Sequence, residues 1–351
     1  MKKNLIKIFF TFILFPFAFF PGNRNFDFTS CSAQDIHFSQ FYASPLTLNP
    51  ANTGNYNGDW RFSNILRKQW PVVLQKKPFQ TIAAGYEQQF YLFNEQIGAG
   101  FVIESDRSGF YNLSLNKLYL SAGYHKTIMG NNFHFGFQGG YVNRGLKKEG
   151  LSFPEQWNSK DGFYDSEMPY SGASIEKKSY FDFNAGVIWA GKFGIYEPEA
   201  GFALYHFNYP NETLIKNDES RLPMRKVFHL GGKIILTPKI FLMPNILIMT
   251  HKKANDFLEG TNLAYRLPKN PIKIQYVYGG FLLRNGIKRN NDAAIAIIGA
   301  QFKRMNVGVA YDVNVSDLNA ATKKRGGFEV SLIYVGPSTL LQNISIPCDR
   351  D

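Results

Sequence analysis

The stretch FHFGFQGGY, residues Phe133–Tyr141, alternates between apolar residues and small or polar ones. Successive side chains of a β-strand point to opposite sides, so its three phenylalanines fall on one face and His134, Gly136 and Gln138 on the other. The same alternation recurs in FDFNAGVIW (181–189), PIKIQYVYGGFL (271–282), VGVAYDVNV (307–315) and FEVSLIY (328–334). One face of each such strand is therefore apolar, and the other is small or polar.

Segments of this kind, bounded by turn signals, predict about fourteen long strands. An even number of long antiparallel strands is what a bacterial outer-membrane barrel requires. The chain is 16% aromatic, yet its mean hydropathy is −0.23. A barrel explains both values, because half of each strand faces a polar lumen. The predicted strands lie near residues 56–69, 78–91, 95–105, 112–125, 131–144, 180–191, 193–208, 223–238, 240–249, 257–267, 271–282, 291–303, 304–315 and 326–336.

The predicted fold class is therefore all-β, a transmembrane antiparallel β-barrel of the outer membrane with about fourteen strands over residues 56–336. A pair of soluble β-sandwiches is the alternative, since sandwich strands also alternate, but those strands are usually shorter. Beyond Phe20 the sequence has no apolar run of 18 residues, which excludes a helical span there.

The start of the chain has the pattern of an export signal. Basic residues precede the apolar run IFFTFILFPFAFF (8–20), and a small-residue site follows, which predicts a signal peptide over residues 1–33. Those residues carry four Lys or Arg and one Asp, so the formal net charge would fall from +12 to +9 on cleavage. In an exported protein, this basic excess favours contact with acidic lipid or polysaccharide rather than nucleic acid. Cys348 would be the one remaining cysteine, which excludes an intramolecular disulfide.

Three segments lie outside the predicted strands. Residues 34–55 contain Pro45 and Pro50, which lack amide donors and bias the preceding residues away from helix, so we expect a periplasmic or lumen-plugging segment. Residues 145–178 form a long loop with two prolines and clustered charges, and residues 337–351 form a C-terminal tail. Loops of this length are usually functional or disordered.

Three stretches resemble the PorP/SprF family of outer-membrane proteins associated with the type IX secretion system. QDIHFSQFYASPLTLNPANTG (34–54) is similar to the start of the mature family proteins, and LSFPEQWNSKDGF (151–163) is similar to a family loop. YDVNVSDLNAATKKRGGFEVSLIY (311–334), followed by a tail with Cys348, is similar to the closing strands. The family tail usually reads Cys-Pro-Arg-Phe, whereas this one reads Cys-Asp-Arg-Asp.

The resemblance implies an accessory or anchoring barrel of the type IX secretion and gliding machinery. Its expected partners are outer-membrane lipoproteins, a periplasmic peptidoglycan-binding protein or a large secreted surface adhesin, besides outer-membrane lipid, and not nucleic acid. We predict two contact surfaces for such partners. The first consists of Phe38, Gln40, Tyr42, Pro45, Asn49 and Pro50, and the second of Phe153, Gln156, Trp157 and Phe163.

No pattern of an enzyme occurs in the sequence. None of the six histidines has metal-ligand spacing with another histidine or a cysteine, and no GxSxG, P-loop or dinucleotide fingerprint is present. We therefore predict no catalytic residue, no metal and no cofactor. The alternative function is a passive porin or a transporter of hydrophobic solutes, which would have an open or gated lumen.

Overall fold

The computed structural model describes residues 36–70, 78–93, 95–109, 113–146, 156–159, 162–165, 176–214, 219–251, 254–268, 273–286, 291–316 and 322–338. Fourteen of the strands within them close into one antiparallel barrel, which confirms the predicted fold class. These strands are β1 (Trp60–Gln69), β2 (Phe79–Leu92), β3 (Glu95–Ser108), β4 (Leu113–Ile128), β5 (Asn131–Gly145), β8 (Lys178–Ala190), β9 (Tyr196–Tyr205), β10 (Arg225–Ile235), β11 (Ile240–His251), β12 (Ala254–Arg266), β13 (Ile274–Gly286), β14 (Asn291–Phe302), β15 (Met305–Asn314) and β16 (Arg325–Val335).

Each barrel strand pairs with its neighbours in the chain, and β5 pairs with β8 across the long loop. Closure comes from pairing of the first strand with the last, with Leu66 opposite Val330. The barrel wall therefore has no unpaired strand edge among the described strands, which is the condition for crossing a bilayer with strands. Within the same part of the chain, no helix has the length and apolarity of a membrane span.

The alternation of side chains has the predicted sense in β5. Phe135 and Phe137 point outward and are about half exposed, whereas His134 and Gln138 are buried inside the barrel. In β13 the alternation of PIKIQYVYGGFL puts Ile274, Tyr276 and Tyr278 on one apolar face, expected to point outward. Tyr278 is instead buried inside, while Phe281 is 72% exposed on the outer wall. Both faces of β13 are apolar, so the period-two pattern alone does not distinguish inside from outside there.

The two ends of the barrel differ in the length of their connections. At one end, which we call the short-turn end, β1 begins, β16 ends and the connections are short, including the two-residue turn Met129–Gly130. Both residues of this turn have positive φ, 50° and 77°, as a type I′ hairpin turn requires. The opposite, long-loop end carries residues 146–177 and 206–224.

Within the long loop, two short strands form a hairpin, β6 (Trp157–Asn158) and β7 (Phe163–Tyr164). Several predicted features lie outside the described residues, namely the signal peptide (1–33), Phe153, most of the C-terminal tail and Cys348.

The unequal ends lead to a prediction about orientation. Short turns of bacterial outer-membrane barrels face the periplasm, and long loops face outward. With Cys31 and Cys348 changed to serine, we expect a membrane-impermeant maleimide to label Glu219→Cys, at the long-loop end, on intact cells. Lys239→Cys, in the β10–β11 turn, should be labelled only after the outer membrane is permeabilised. The reverse pattern of labelling would contradict this orientation.

Candidate functional site

The segment that precedes the first strand lies inside the barrel. We call residues 36–57 the lumen segment. It starts at the long-loop end, where the Ile36 carbonyl accepts a hydrogen bond of 3.2 Å from Arg225, the first residue of β10. It then crosses the lumen and reaches the short-turn end, where β1 begins at Trp60. It is built of three short turns, Phe41–Ala43, Pro45–Leu48 and Pro50–Asn52.

The two prolines set the local conformation of the lumen segment. Pro45 and Pro50 each stand at the first position of a helical turn, where the missing amide hydrogen costs no bond. Asn49 caps the last turn, because its Oδ1 accepts a hydrogen bond of 2.9 Å from the Ala51 amide. Since Pro50 cannot continue the preceding turn, the chain bends at Asn49 and stays irregular.

A row of glycines in the wall faces the lumen segment. Gly98 pairs with Gly123, Gly123 with Gly136, and Gly136 with Gly186, so the row crosses β3, β4, β5 and β8 at one level. A Cβ atom at any of the four would lie less than 3.0 Å from atoms of residues 49–54. Only glycine therefore permits the observed distance between the segment and the wall.

Asn49 also reaches into the wall beyond this row. Its Nδ2 donates to the backbone carbonyls of Val187 and Phe202 at 3.2 and 3.3 Å, and lies 3.1 Å from His229 Nε2. Asn49 is fully buried, so these bonds replace the water that its amide loses.

The upper part of the lumen segment, near the long-loop end, is held by a carboxylate from the last strand. Glu329 accepts hydrogen bonds from the backbone amides of Ser39 at 2.6 Å and Gln40 at 2.8 Å. Hydrogen bonds from a backbone amide to a charged carboxylate are stronger than those between neutral groups. The wall of the barrel thus supplies the hydrogen-bond acceptor for both backbone amides of the segment.

Buried charges from three further strands complete this cluster. Arg67 donates to Glu329 at 2.5 Å and to Asp312 at 2.9 Å, and Arg284 lies 3.1 Å from Asp312. All four side chains are almost fully buried, and their formal charges cancel. Each charged group is paired with one of opposite sign, which offsets the cost of burying it. Removing one member would leave a buried charge without a partner.

A second buried pair holds the segment at the short-turn end. Glu87 accepts from the Gly54 amide and from Arg61 Nε, both at 2.8 Å. Arg61 also donates to the Asn52 carbonyl at 3.0 Å. Burial raises the pKa of Tyr56, so its hydroxyl stays protonated and donates to the Glu87 carbonyl at 2.9 Å. The segment is therefore fixed at both ends.

Apolar side chains of the lumen segment fill the space between these two clusters. Phe38 packs with inward residues of β1 and β2, and Leu46 with those of β3, β4 and β5. Phe41 and Leu48 join a larger apolar cluster of inward residues from β9 to β15. The interior of the barrel is thus packed against the segment, and the large apolar cluster explains why the tyrosines of β13 point inward.

The structure separates the two sets of predicted contact residues. The first set, Phe38, Gln40, Tyr42, Pro45, Asn49 and Pro50, lies in the lumen segment, where five of these residues are buried and Tyr42 accepts a hydrogen bond from Asn262 of the wall. In the second set, Gln156 is buried while Trp157 and Phe163 are about half exposed on the loop hairpin. The sets do not meet. Partner binding by either set remains a prediction.

Sequence reasoning did not find the charged residues that hold the segment. Arg61, Arg67, Glu87, Asp312 and Glu329 stand at inward positions of their strands and are buried. Charged residues are almost never fully buried unless they are paired. Their positions on the inward face of the predicted strands could therefore have indicated buried ion pairs. Among the described residues, no three His, Cys, Asp or Glu side chains group as a metal site.

The row of glycines predicts that a glycine-to-alanine substitution destabilises the barrel strongly within the row and little outside it. Gly136→Ala places a methyl group against the Pro50 backbone, so we expect a loss of stability of about 3 kcal/mol or failure to assemble. The matched control is Gly279→Ala, where the nearest atom would lie 3.5 Å from the new Cβ and stability should change little. Urea unfolding in detergent, followed by heat-modifiable gel migration, measures both. Equal stability of the two variants would contradict this packing.

The buried charge cluster predicts a second difference. Arg67→Met leaves Glu329 and Asp312 short of a positive partner, so we expect a loss of roughly 3–5 kcal/mol. Arg221→Met, which removes an exposed pair with Glu219 at 3.9 Å, should cost less than about 1 kcal/mol. The same unfolding measurement applies. A loss for Arg67→Met no larger than for the control would contradict the burial of these charges as a paired set.

The chain matches a protein family and resembles several solved structures. Residues 30–334 match the family described as type IX secretion system membrane protein PorP/SprF. A search of curated protein sequences finds no match. The toluene transporter TbuX of Ralstonia pickettii is similar in structure, with 10% identity, a TM-score of 0.49 and coverage of 83% of this chain and 92% of that chain. The toluene transporter TodX of Pseudomonas putida has 11% identity, a TM-score of 0.48 and coverage of 83% and 92%.

A mutant porin of Rh. blastica is less similar in structure, with 8% identity, a TM-score of 0.35 and coverage of 79% of this chain and 99% of that chain. At such identities the likeness concerns the barrel fold alone. The family match is different in kind, because it covers most of the sequence, including the lumen segment and nearly all of the barrel. The chain belongs to the PorP/SprF family of type IX secretion system membrane proteins.

Proposed function

We propose that this protein is a sealed, non-enzymatic outer-membrane barrel that serves as an accessory or anchoring component of the type IX secretion and gliding machinery. It acts by binding other proteins. The short-turn end meets machinery proteins in the periplasm, such as outer-membrane lipoproteins or a peptidoglycan-binding protein. The long-loop end meets a large secreted adhesin at the cell surface.

The observation that carries this proposal is the filled lumen. The lumen segment is bonded to the wall by Glu329 at one end and Glu87 at the other, and apolar side chains pack between them. A porin or a solute transporter needs a continuous path, which would require this segment to leave or rearrange. Breaking the two charged clusters is costly, so a static anchor fits the interior better than a conduit.

The loop hairpin offers a surface for a partner at the long-loop end. Trp157 and Tyr164 stack edge to face with ring centroids 4.9 Å apart, and both are about half exposed, as is Phe163. The hairpin is held by a hydrogen bond of 2.9 Å from the Asp165 amide to the Gln156 carbonyl. Aromatic side chains are enriched among the residues that contribute most of the binding energy in protein interfaces.

Affinity purification from native outer membranes in mild detergent, with mass spectrometry of the co-purifying proteins, tests the anchoring role. We expect secretion-system lipoproteins, a peptidoglycan-binding protein or one large adhesin in stoichiometric amount. A barrel that purifies alone and conducts ions in planar bilayers would contradict the proposal and favour the porin.

The hairpin surface predicts a specific loss of partner. The double variant Trp157→Ala/Phe163→Ala should retain at least tenfold less of the surface partner, since truncation of interface aromatics commonly costs more than 1 kcal/mol each. Its urea unfolding should match the wild type, because both side chains are exposed. The control is Phe193→Ala, an exposed aromatic in the β8–β9 connection at the other end. Equal retention in both variants would exclude the hairpin as the contact.

A further inference from the structure

A half-open cavity of about 620 Å³ lies at the short-turn end of the barrel. We call it the rim pocket. Its walls come from the ends of β2 and β3, from the β4–β5 hairpin and from residues 55–57 of the lumen segment. It is far from the loop hairpin, and its size is typical of sites for small ligands.

Two histidines fix the hydrogen-bonding character of the pocket. His125 Nε2 lies 2.8 Å from the Thr53 carbonyl, which can only accept, so this nitrogen carries the proton. In the neutral ring, His125 Nδ1 is then an acceptor, and the Nδ1 of His134, 2.6 Å away, must donate to it. The Nε2 of His134 is left as an acceptor in a side chain that is more than nine-tenths buried and lines the pocket.

Other free polar groups line the same cavity. The carboxamides of Asn55 and Asn57 make no hydrogen bond within the described part of the chain, and both line the pocket. Glu95 and Lys126 form an ion pair at the rim, so their charges cancel. Tyr91 stands at the mouth and is 54% exposed. The pocket is therefore neutral and offers unused donors and acceptors beside an aromatic ring.

We infer that the rim pocket binds a neutral sugar. A sugar hydroxyl both donates and accepts, as does a carboxamide, and the acceptor nitrogen of His134 takes a further hydroxyl. The C–H face of a sugar ring can pack on Tyr91. A neutral site gives no advantage to an anion or a cation. An extended peptide usually binds at a free sheet edge, and the described strands of the closed barrel offer none.

The test is saturation-transfer-difference NMR with the full-length protein in a detergent without a sugar head group. The probes are N,N′-diacetylchitobiose and maltose, which separate an N-acetylated glycan from a plain glucan, and triglycine serves as the peptide probe. We expect transfer to at least one sugar at about 10 mM, and none to triglycine.

Variants locate the binding. Asn57→Ala changes an exposed side chain and His134→Gln keeps a polar group, and each should weaken sugar binding about fivefold, the cost of one hydrogen bond. Asn143→Ala, at the long-loop end, is the matched control and should bind as the wild type does. Absence of transfer to both sugars, equal transfer to triglycine, or undiminished binding by Asn57→Ala and His134→Gln would each overturn the inference. Partner retention in the purification experiment is a separate readout, so either proposal can fail alone.

Discussion

The contact between residues 49–54 and the row of four wall glycines is the constraint on which the rest of the interior depends. No wall side chain separates the segment from the strands there. The glycines of β3, β4, β5 and β8 and the path of the lumen segment therefore depend on each other. Gly54, with φ of +81°, turns the chain where a Cβ would also strike the wall. The lumen segment therefore occupies the interior of the barrel along this row of glycines.

The buried charges determine the position of the lumen segment in the barrel and contribute little to its stability. Desolvation offsets most of the attraction within a buried ion pair, so Arg67 with Glu329 and Arg61 with Glu87 add little net stability. Displacing the segment would leave these charges without partners, and that penalty favours a single register. Apolar packing around Phe41 and Leu48 supplies the stability.

The sequence allowed prediction of the barrel because period-two alternation is local, and the outward phenylalanines of β5 follow it directly. It did not predict that the Tyr278 side chain points inward, since both faces of β13 are apolar. The side that faces the lumen is determined by packing against the large apolar cluster. The contacts of Asn49 with Val187, or of Ser39 with Glu329, join residues 138 and 290 positions apart. Strand phase and register must be known before such pairs can be inferred, so the residues that hold the segment were missed.

Hydrogen–deuterium exchange of the purified, folded barrel, read by mass spectrometry, is the measurement that tests the central claim most directly. If the lumen segment is fixed inside the barrel, the amides of residues 39–54 will exchange as slowly as those of the barrel strands. Their partners include Glu329 and Glu87 and are out of reach of water. Exchange of this segment as fast as that of the exposed connection at residues 236–239 would contradict a sealed barrel.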